Sequence, residues 1–252
     1  MTQPFFSVII PTHNSEEYVL KSINSVVNQT FKDYEVILVD DCSLDDTVNV
    51  IKNRISRLAN FELISLNKNG GVSNARNTGI LKSCGKYICF LDDDDIWLKN
   101  KLQVEHDYIV SKKLNWVFSN YEVLNKDYEH LGTRFRIPGV YGYADILNHG
   151  NPVGMLTVAV YADILKKNLF LDVGHEDYDL WLRLAKKGYQ GYLIKDVLAQ
   201  YVKRNIGSRS SNKIRSVIWT YKCFRRNGSS IFKSIKLIFG YLSNIFQRNR
   251  EC

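Results

Sequence analysis

A chain of 252 residues, 45% hydrophobic and 24% charged, can bury a full core, as one large α/β domain or one domain with an appendage. Its five scattered cysteines form no CxxC pair and sit beside no run of histidines, which excludes a disulfide framework and a zinc site and points to a reducing compartment. The formal charge of +8 is uneven, with +11 on residues 203–252 and −3 on residues 1–202, so a near-neutral body carries a cationic tail.

The amino terminus lacks a basic stretch followed by a long apolar one, and no run of about 18 apolar residues appears, so neither a signal peptide nor a bilayer-spanning helix is expected. Phe5-Phe-Ser-Val-Ile-Ile10 predicts a strand halted by Pro11. A helix follows from Ser15, its expected N-cap, with Val19, Ile23, Val26 and Val27 at helical spacing. Tyr34–Val39 predicts a second strand ending in Asp40-Asp41, and Asp45-Asp46-Thr47 opens a second helix. Phe61–Leu66, a helix from Ser73 to Leu81 and the strand Tyr87–Leu91 continue the alternation. Strands alternating with helices predict a mostly parallel sheet. Right-handed crossovers then bring all four strand ends to one edge. Beyond residue 100 the pattern loosens: a helix at Lys101–Lys112, a strand at Trp116–Tyr121, a polar loop at Asn125–Arg136, an apolar stretch at Met155–Val160, a helix at Tyr178–Lys187 and a strand at Tyr192–Tyr201.

The fourth strand runs straight into Asp92-Asp93-Asp94-Asp95. Open α/β sheets bind ligands beyond the carboxyl ends of their strands. Crowded carboxylates raise one another's pKa, and a hard divalent cation shared between one or two carboxylates and substrate phosphates relieves the repulsion. A solvated acidic turn is the plainer alternative, and the position at a strand end weighs against it. Gly70-Gly71 opening a helix has neither the lysine of a P-loop nor the spacing of a dinucleotide fingerprint. Arg76, one helical turn in, is placed to pair with an anion or with the acidic edge. Glu176-Asp177 before Tyr178 reads, by itself, as ordinary capping of a helix.

Five segments follow one another in order: Ser7-Val-Ile-Ile-Pro-Thr-His-Asn14, Val39-Asp-Asp-Cys-Ser43, Asn69-Gly-Gly-Val-Ser-Asn-Ala-Arg-Asn77, Phe90-Leu-Asp-Asp-Asp-Asp-Ile-Trp97 and Glu176-Asp-Tyr-Asp-Leu-Trp-Leu-Arg183. Over roughly residues 5–205 the chain resembles the family 2 glycosyltransferases of the GT-A fold, inverting enzymes that use nucleotide-activated sugars. The resemblance implies a Rossmann-like, mostly parallel sheet flanked by helices. Residues 1–98 would form a nucleotide-binding half, 99–212 an acceptor-binding half and 213–252 a helical extension. It implies that Pro11, His13 and Asp41 line the base pocket, with Asp41 accepting from a uracil ring nitrogen and Asn14 close by. The family often has Tyr where this chain has His13, and either ring can stack on a base. Asp92 and Asp94 become the outer members of a DXD-type motif, Asp92 facing the ribose or the metal shell and Asp94 holding Mn or Mg against the diphosphate. Asp93 stands at the variable position, and Asp95 is available for a further contact. Asp177 matches the catalytic base that takes the acceptor's proton, and the helix N-terminus is expected to keep it ionised. Glu176 contacts the acceptor or supports the base. Lys203 and Arg204, with Arg209, resemble a loop that folds over the donor diphosphate; the start of a solvated basic tail is the alternative.

In the tail, Ile214, Val217, Ile218, Tyr221 and Phe224 share one expected helical face, and Ile231, Ile235, Ile238, Leu242 and Ile245 a second, flanked by Phe232, Phe239 and Phe246. Cationic amphipathic helices of this kind lie on an anionic membrane; a core-packing or dimerising pair is the alternative, and nucleic-acid binding lacks any recognised module. For a cytoplasmic enzyme seated on the inner leaflet, the resemblance implies a polyprenyl-diphosphate-linked saccharide as acceptor and a UDP-sugar as donor, as in O-antigen or capsule synthesis. A non-catalytic nucleotide-sugar binding domain and a nucleotidyltransferase are the competing classes.

Overall fold

The computed structural model describes residues 3–148, 150–204 and 213–248, without the side chains of Lys213 and of residues 240–248. Arg209 and the side chains of Leu242, Ile245 and Phe246 lie outside the described residues. Strands β1 (Phe6–Thr12), β2 (Tyr34–Asp40), β3 (Phe61–Ser65) and β4 (Tyr87–Phe90) alternate with helices α1 (Val19–Val27), α2 (Thr47–Ile55) and α3 (Val72–Lys82). The strands pair in parallel in the order β3-β2-β1-β4. The apolar runs of β1, β2 and β4 are nearly continuous because both faces are covered, whereas the edge strand β3 is only partly buried. Along β1, Val8 and Ile10 pack with Val19 and Ile23 of α1, whereas Ile9 points to the opposite face and packs with Ile80 of α3.

The second half comprises β5 (Ile96–Trp97), α4 (Lys101–Lys112), β6 (Trp116–Asn125), β7 (His130–Arg134), β8 (Gly139–Tyr141), α5 (Tyr143–Asn148), β9 (Ala159–Tyr161), α6 (Ala162–Lys166), α7 (Glu176–Lys186) and β10 (Gly191–Lys203). Strand β9 runs antiparallel to both β4 and β6, so a single ten-stranded sheet crosses the division at residues 98 and 99. The tail forms α8 (Lys213–Arg226) and α9 (Ile231–Arg248).

Several local expectations give way to tertiary contacts. Ser15 does not cap α1: the helix starts at Val19, after a turn in which the Ser15 carbonyl accepts the Tyr18 and Val19 amides. The Ser15 amide is drawn instead to Thr47 Oγ1 at 2.7 Å. The polar stretch 125–136 is not simply a loop but contains β7, antiparallel to β6; its polarity reflects a strand that is largely exposed. Helix α7 begins two residues early, at Glu176, and so takes Glu176 and Asp177 into its first turn.

The buried face of α8 is also rotated from the expected one. Ile214 is 75% and Ile218 48% exposed, while Thr220, Cys223 and Phe224 are buried. Polar anchors set this rotation. Arg226 donates to Asp179 Oδ1 at 2.7 Å, Asn227 Nδ2 to the same oxygen at 3.3 Å, and His175 Nε2 lies 3.0 Å from Ser216 Oγ. Trp219 packs edge-on against His175, over Gly174, where a Cβ would sit only 2.0 Å from the indole. On α9, Leu237 and Ile238 pack against the core, whereas Ile231, Phe232, Ile235 and Phe239 face solvent. Among the described residues no helix is long and apolar enough to cross a membrane.

Candidate active site

Two cavities open where the parallel strands end. The smaller, about 360 Å³, is lined by Pro11 and Thr12 at the end of β1, His13, Asp41 after β2, Asn69, and Asp92 to Asp94 after β4. Strand termination builds it, because each chain leaves the sheet at the same edge and exposes its next polar residues there. Asp41 is buried, and its two oxygens accept the Gly70 and Gly71 amides at 2.8 and 2.7 Å. Gly71 adopts φ 81°, which glycine tolerates without strain. Each Asp41 oxygen retains a lone pair for a further donor.

The four aspartates diverge in role. The Asp95 carboxylate is buried and accepts the Val202 amide at 2.9 Å, fixing the acidic turn to β10. Asp93 accepts the His13 amide at 3.1 Å; burial and neighbouring Asp94 push its pKa up to about 7. Asp94 rises to about 6 through burial and Asp92, with Arg204 opposing from 3.8 Å. Asp92 is engaged by Arg76, whose guanidinium donates to Asp92 Oδ1 at 2.7 Å and to Glu176 Oε1 at 2.9 Å. Arg76 is only 4% exposed. Burial would lower its pKa, but Asp92 and Glu176 outweigh that and hold it above the ordinary arginine value.

That bridge joins the acidic turn to the first turn of α7. The larger cavity, about 860 Å³, is lined by Glu176 and Asp177, and shares Arg76, Asp92 and Tyr201 with the smaller one. Asn151 Nδ2 donates to Asp177 Oδ2 at 2.8 Å. Burial and Glu176 raise the Asp177 pKa. The expected anion-stabilising pull of the helix N-terminus is thus outweighed by desolvation, which leaves a stronger base than an exposed aspartate.

Pro11, His13, Asp41, Arg76, Asp92, Asp93 and Asp94 meet around the small cavity, and Glu176 and Asp177 join them across Arg76. Asn14 lines neither cavity; its side chain accepts the Leu44 amide at 2.8 Å and ties two strand-end loops together. Lys203 is exposed and likewise outside both. Arg204 stacks 4.1 Å over the Tyr18 ring while facing Asp94. Asn151 and Tyr201 are absent from the sequence expectations. Neither belongs to a charged or repeated motif; β10 brings Tyr201 to the site and the irregular stretch after α5 brings Asn151.

The donor set suits a divalent cation in one particular way. Among the described residues no three His, Cys, Asp or Glu side chains converge to hold an ion. Carboxylates crowded enough to raise one another's pKa favour a cation that takes one or two oxygens from the protein and the rest from phosphates and water. Asp94 and Asp92 offer that partial set.

The strand ends of this sheet thus hold an acidic cavity, which Arg76 joins to the carboxylates of Glu176 and Asp177. The profile of Glycosyl transferase family 2 matches residues 7–152, and the chain belongs to that family. It is 32% identical to an uncharacterized glycosyltransferase of Haemophilus influenzae over the whole of both chains. It is 31% identical to UDP-Glc:alpha-D-GlcNAc-diphosphoundecaprenol beta-1,3-glucosyltransferase WfgD of Escherichia coli, over 84% of this chain and 81% of that one. In structure it is similar to Staphylococcus aureus TarS 1-349 in complex with UDP-GlcNAc, with a TM-score of 0.75 and 22% identity over 96% of this chain and 72% of that one. The mannosyltransferase PcManGT of Pyrobaculum calidifontis, in complex with GDP-Man and Mn2+, gives a TM-score of 0.70 and 16% identity, covering 97% and 70% of the two chains. The protein is therefore a glycosyltransferase with the GT-A fold.

Proposed function

We propose that this glycosyltransferase moves one sugar from a UDP-sugar to a hydroxyl of a polyprenyl-diphosphate-linked saccharide, with inversion at the anomeric carbon, during O-antigen or capsule repeat-unit synthesis. The observation that carries the reading is the Arg76 bridge, which sets the acidic turn and the Glu176-Asp177 turn on either side of one buried cation. The names of WfgD and of the TarS complex support the acceptor and the donor nucleotide respectively.

Pro11, His13 and Asp41 hold the uracil side of the donor, with Asn14 keeping the loops that carry them in place. Asp94, with Asp92 beside it, would hold Mn or Mg, which supplies charge neutralisation for the departing diphosphate. Arg204 adds a cation at the same edge, with Lys203 next to it in the chain. Asp177 takes the proton from the acceptor hydroxyl as that oxygen forms its bond to the anomeric carbon. The bond from that carbon to the diphosphate oxygen breaks, and UDP leaves. Attack opposite the leaving group turns an α-configured donor into a β-linked product. Glu176, neutralised by Arg76, positions the turn. The exposed apolar and basic face of α9 would rest on the inner leaflet, where such an acceptor resides.

The test is a donor screen that follows UDP release from a panel of nucleotide sugars, with Mn2+ and a lipid-diphosphate saccharide present. Acceptor-dependent UDP release supports the proposal. Tight UDP binding without transfer from any donor would instead make the chain a nucleotide-sugar binding module, and release of pyrophosphate from a nucleoside triphosphate would make it a nucleotidyltransferase.

A further inference from the structure

The larger cavity is lined by two chemically different sets of charged side chains. Asp92, Glu176 and Asp177, all half-buried, are on one side of the charge balance with exposed Asp172; Arg134 of β7 and Arg215 of α8, both exposed, and half-buried Arg136 just beyond β7 are on the other. A saccharide offers hydroxyls and needs no such concentration of guanidinium groups. A diphosphate does, because planar forks bind phosphate oxygens in pairs.

The chain around these arginines alternates in a telling way. On β7 and the segment after it, Arg134 and Arg136 face the cavity, while Phe135 and Ile137 are 65% and 81% exposed. On α8, Arg215 and Trp219 line the cavity, while their neighbours Ile214 and Ile218 face solvent. Two elements far apart in sequence therefore present the same pairing of cation inward and apolar side chain outward. Their chemistry matches a ligand whose diphosphate enters the cavity and whose hydrocarbon remains at the rim. A contact path also runs from these arginines to Asp177: Arg136 donates to the Asn151 carbonyl at 3.4 Å, and the Asn151 side-chain amide donates to Asp177.

We propose that Arg134, Arg136 and Arg215 form the acceptor's diphosphate subsite, and that the exposed apolar side chains beside them receive the first part of its prenyl chain. This rests on the donor and base assignments above and adds the residues that select a lipid-diphosphate acceptor over a free saccharide.

The test measures binding of farnesyl diphosphate to the full chain with UDP and Mn2+ saturating, so that the donor site is filled. An undecyl glycoside without phosphate is run in parallel. The wild type should bind the diphosphate and prefer it to the glycoside. Arg136→Ala and Arg215→Ala should each weaken diphosphate binding by about tenfold or more, with Arg136→Lys retaining part of it. Unchanged UDP affinity in each variant reports an intact fold. Diphosphate binding that is undiminished in both alanine variants, or no stronger than glycoside binding in the wild type, overturns the subsite while leaving the donor assignment standing. Failure of the wild type to bind UDP overturns the donor assignment and the subsite with it.

Discussion

Asp177 shows how position changes the chemistry of one carboxyl group. At a helix start in water it would be an ordinary anion; recessed beside Glu176, its pKa rises. A base acts only when deprotonated, so kcat/KM should fall as pH drops through this raised pKa, with the acid limb lying above about pH 4, the usual carboxylate value. A pH–rate profile checks this. Asp177→Asn should cut kcat by about 10²- to 10⁴-fold, the range for general bases, while UDP affinity by calorimetry stays the same. Undiminished turnover in that variant would remove the base assignment. Asp94 belongs to the other side of the site. Asp94→Ala should abolish the Mn2+-dependent part of UDP affinity, and equal UDP binding with and without EDTA in the wild type would argue against a metal-assisted donor site.

At the scale of elements, α8 is part of the enzyme body rather than an appendage. Asp179, fully buried on α7, accepts from Arg183 at 2.8 Å and from Arg226 at 2.7 Å. Removing the carboxylate takes the shared partner from two partly exposed guanidinium groups, and breaking a buried pair costs about 3 to 5 kcal/mol. Asp179→Ala should therefore lower stability in urea denaturation by roughly that amount. Because α8 supplies Trp219 and Arg215 to the larger cavity, the same substitution should impair acceptor use more than UDP binding. A variant as stable as the wild type would show that α8 docks through its apolar contacts alone.

For the whole molecule, the question is how a neutral body and a cationic tail act together. The tail's charge is divided: Arg226 is spent on Asp179, while Lys233 and Lys236 share α9 with exposed Phe232, Ile235 and Phe239. Each basic residue near an anionic bilayer contributes about 1 kcal/mol, and salt screens it. Replacing Phe232 and Phe239 together by Ser should reduce sedimentation with anionic vesicles without lowering Tm, since neither side chain is in the core. Binding of wild type and variant to the same extent would assign the tail's apolar face to something other than lipid.

The sequence alone determined the sheet's first half and the gathering of the motif residues around a cavity at its strand ends. Runs of buried apolar residues and the polar turns that stop them are local properties, and parallel pairing then fixes where Pro11, Asp41 and Asp92 to Asp94 must gather. The tertiary structure alone decided that Arg76 bridges Asp92 to Glu176, that Asn151 and Tyr201 join them, that segment 125–136 contains a strand, and which face of α8 is buried. Those outcomes depend on partners about 15 to 100 residues away, as the Arg136–Asn151 and Arg76–Glu176 contacts show. Where such a partner offers a buried ion pair, as Asp179 does to Arg226, it overrides the hydrophobic period of a single helix, because an unpaired buried charge costs more than a few exposed isoleucines.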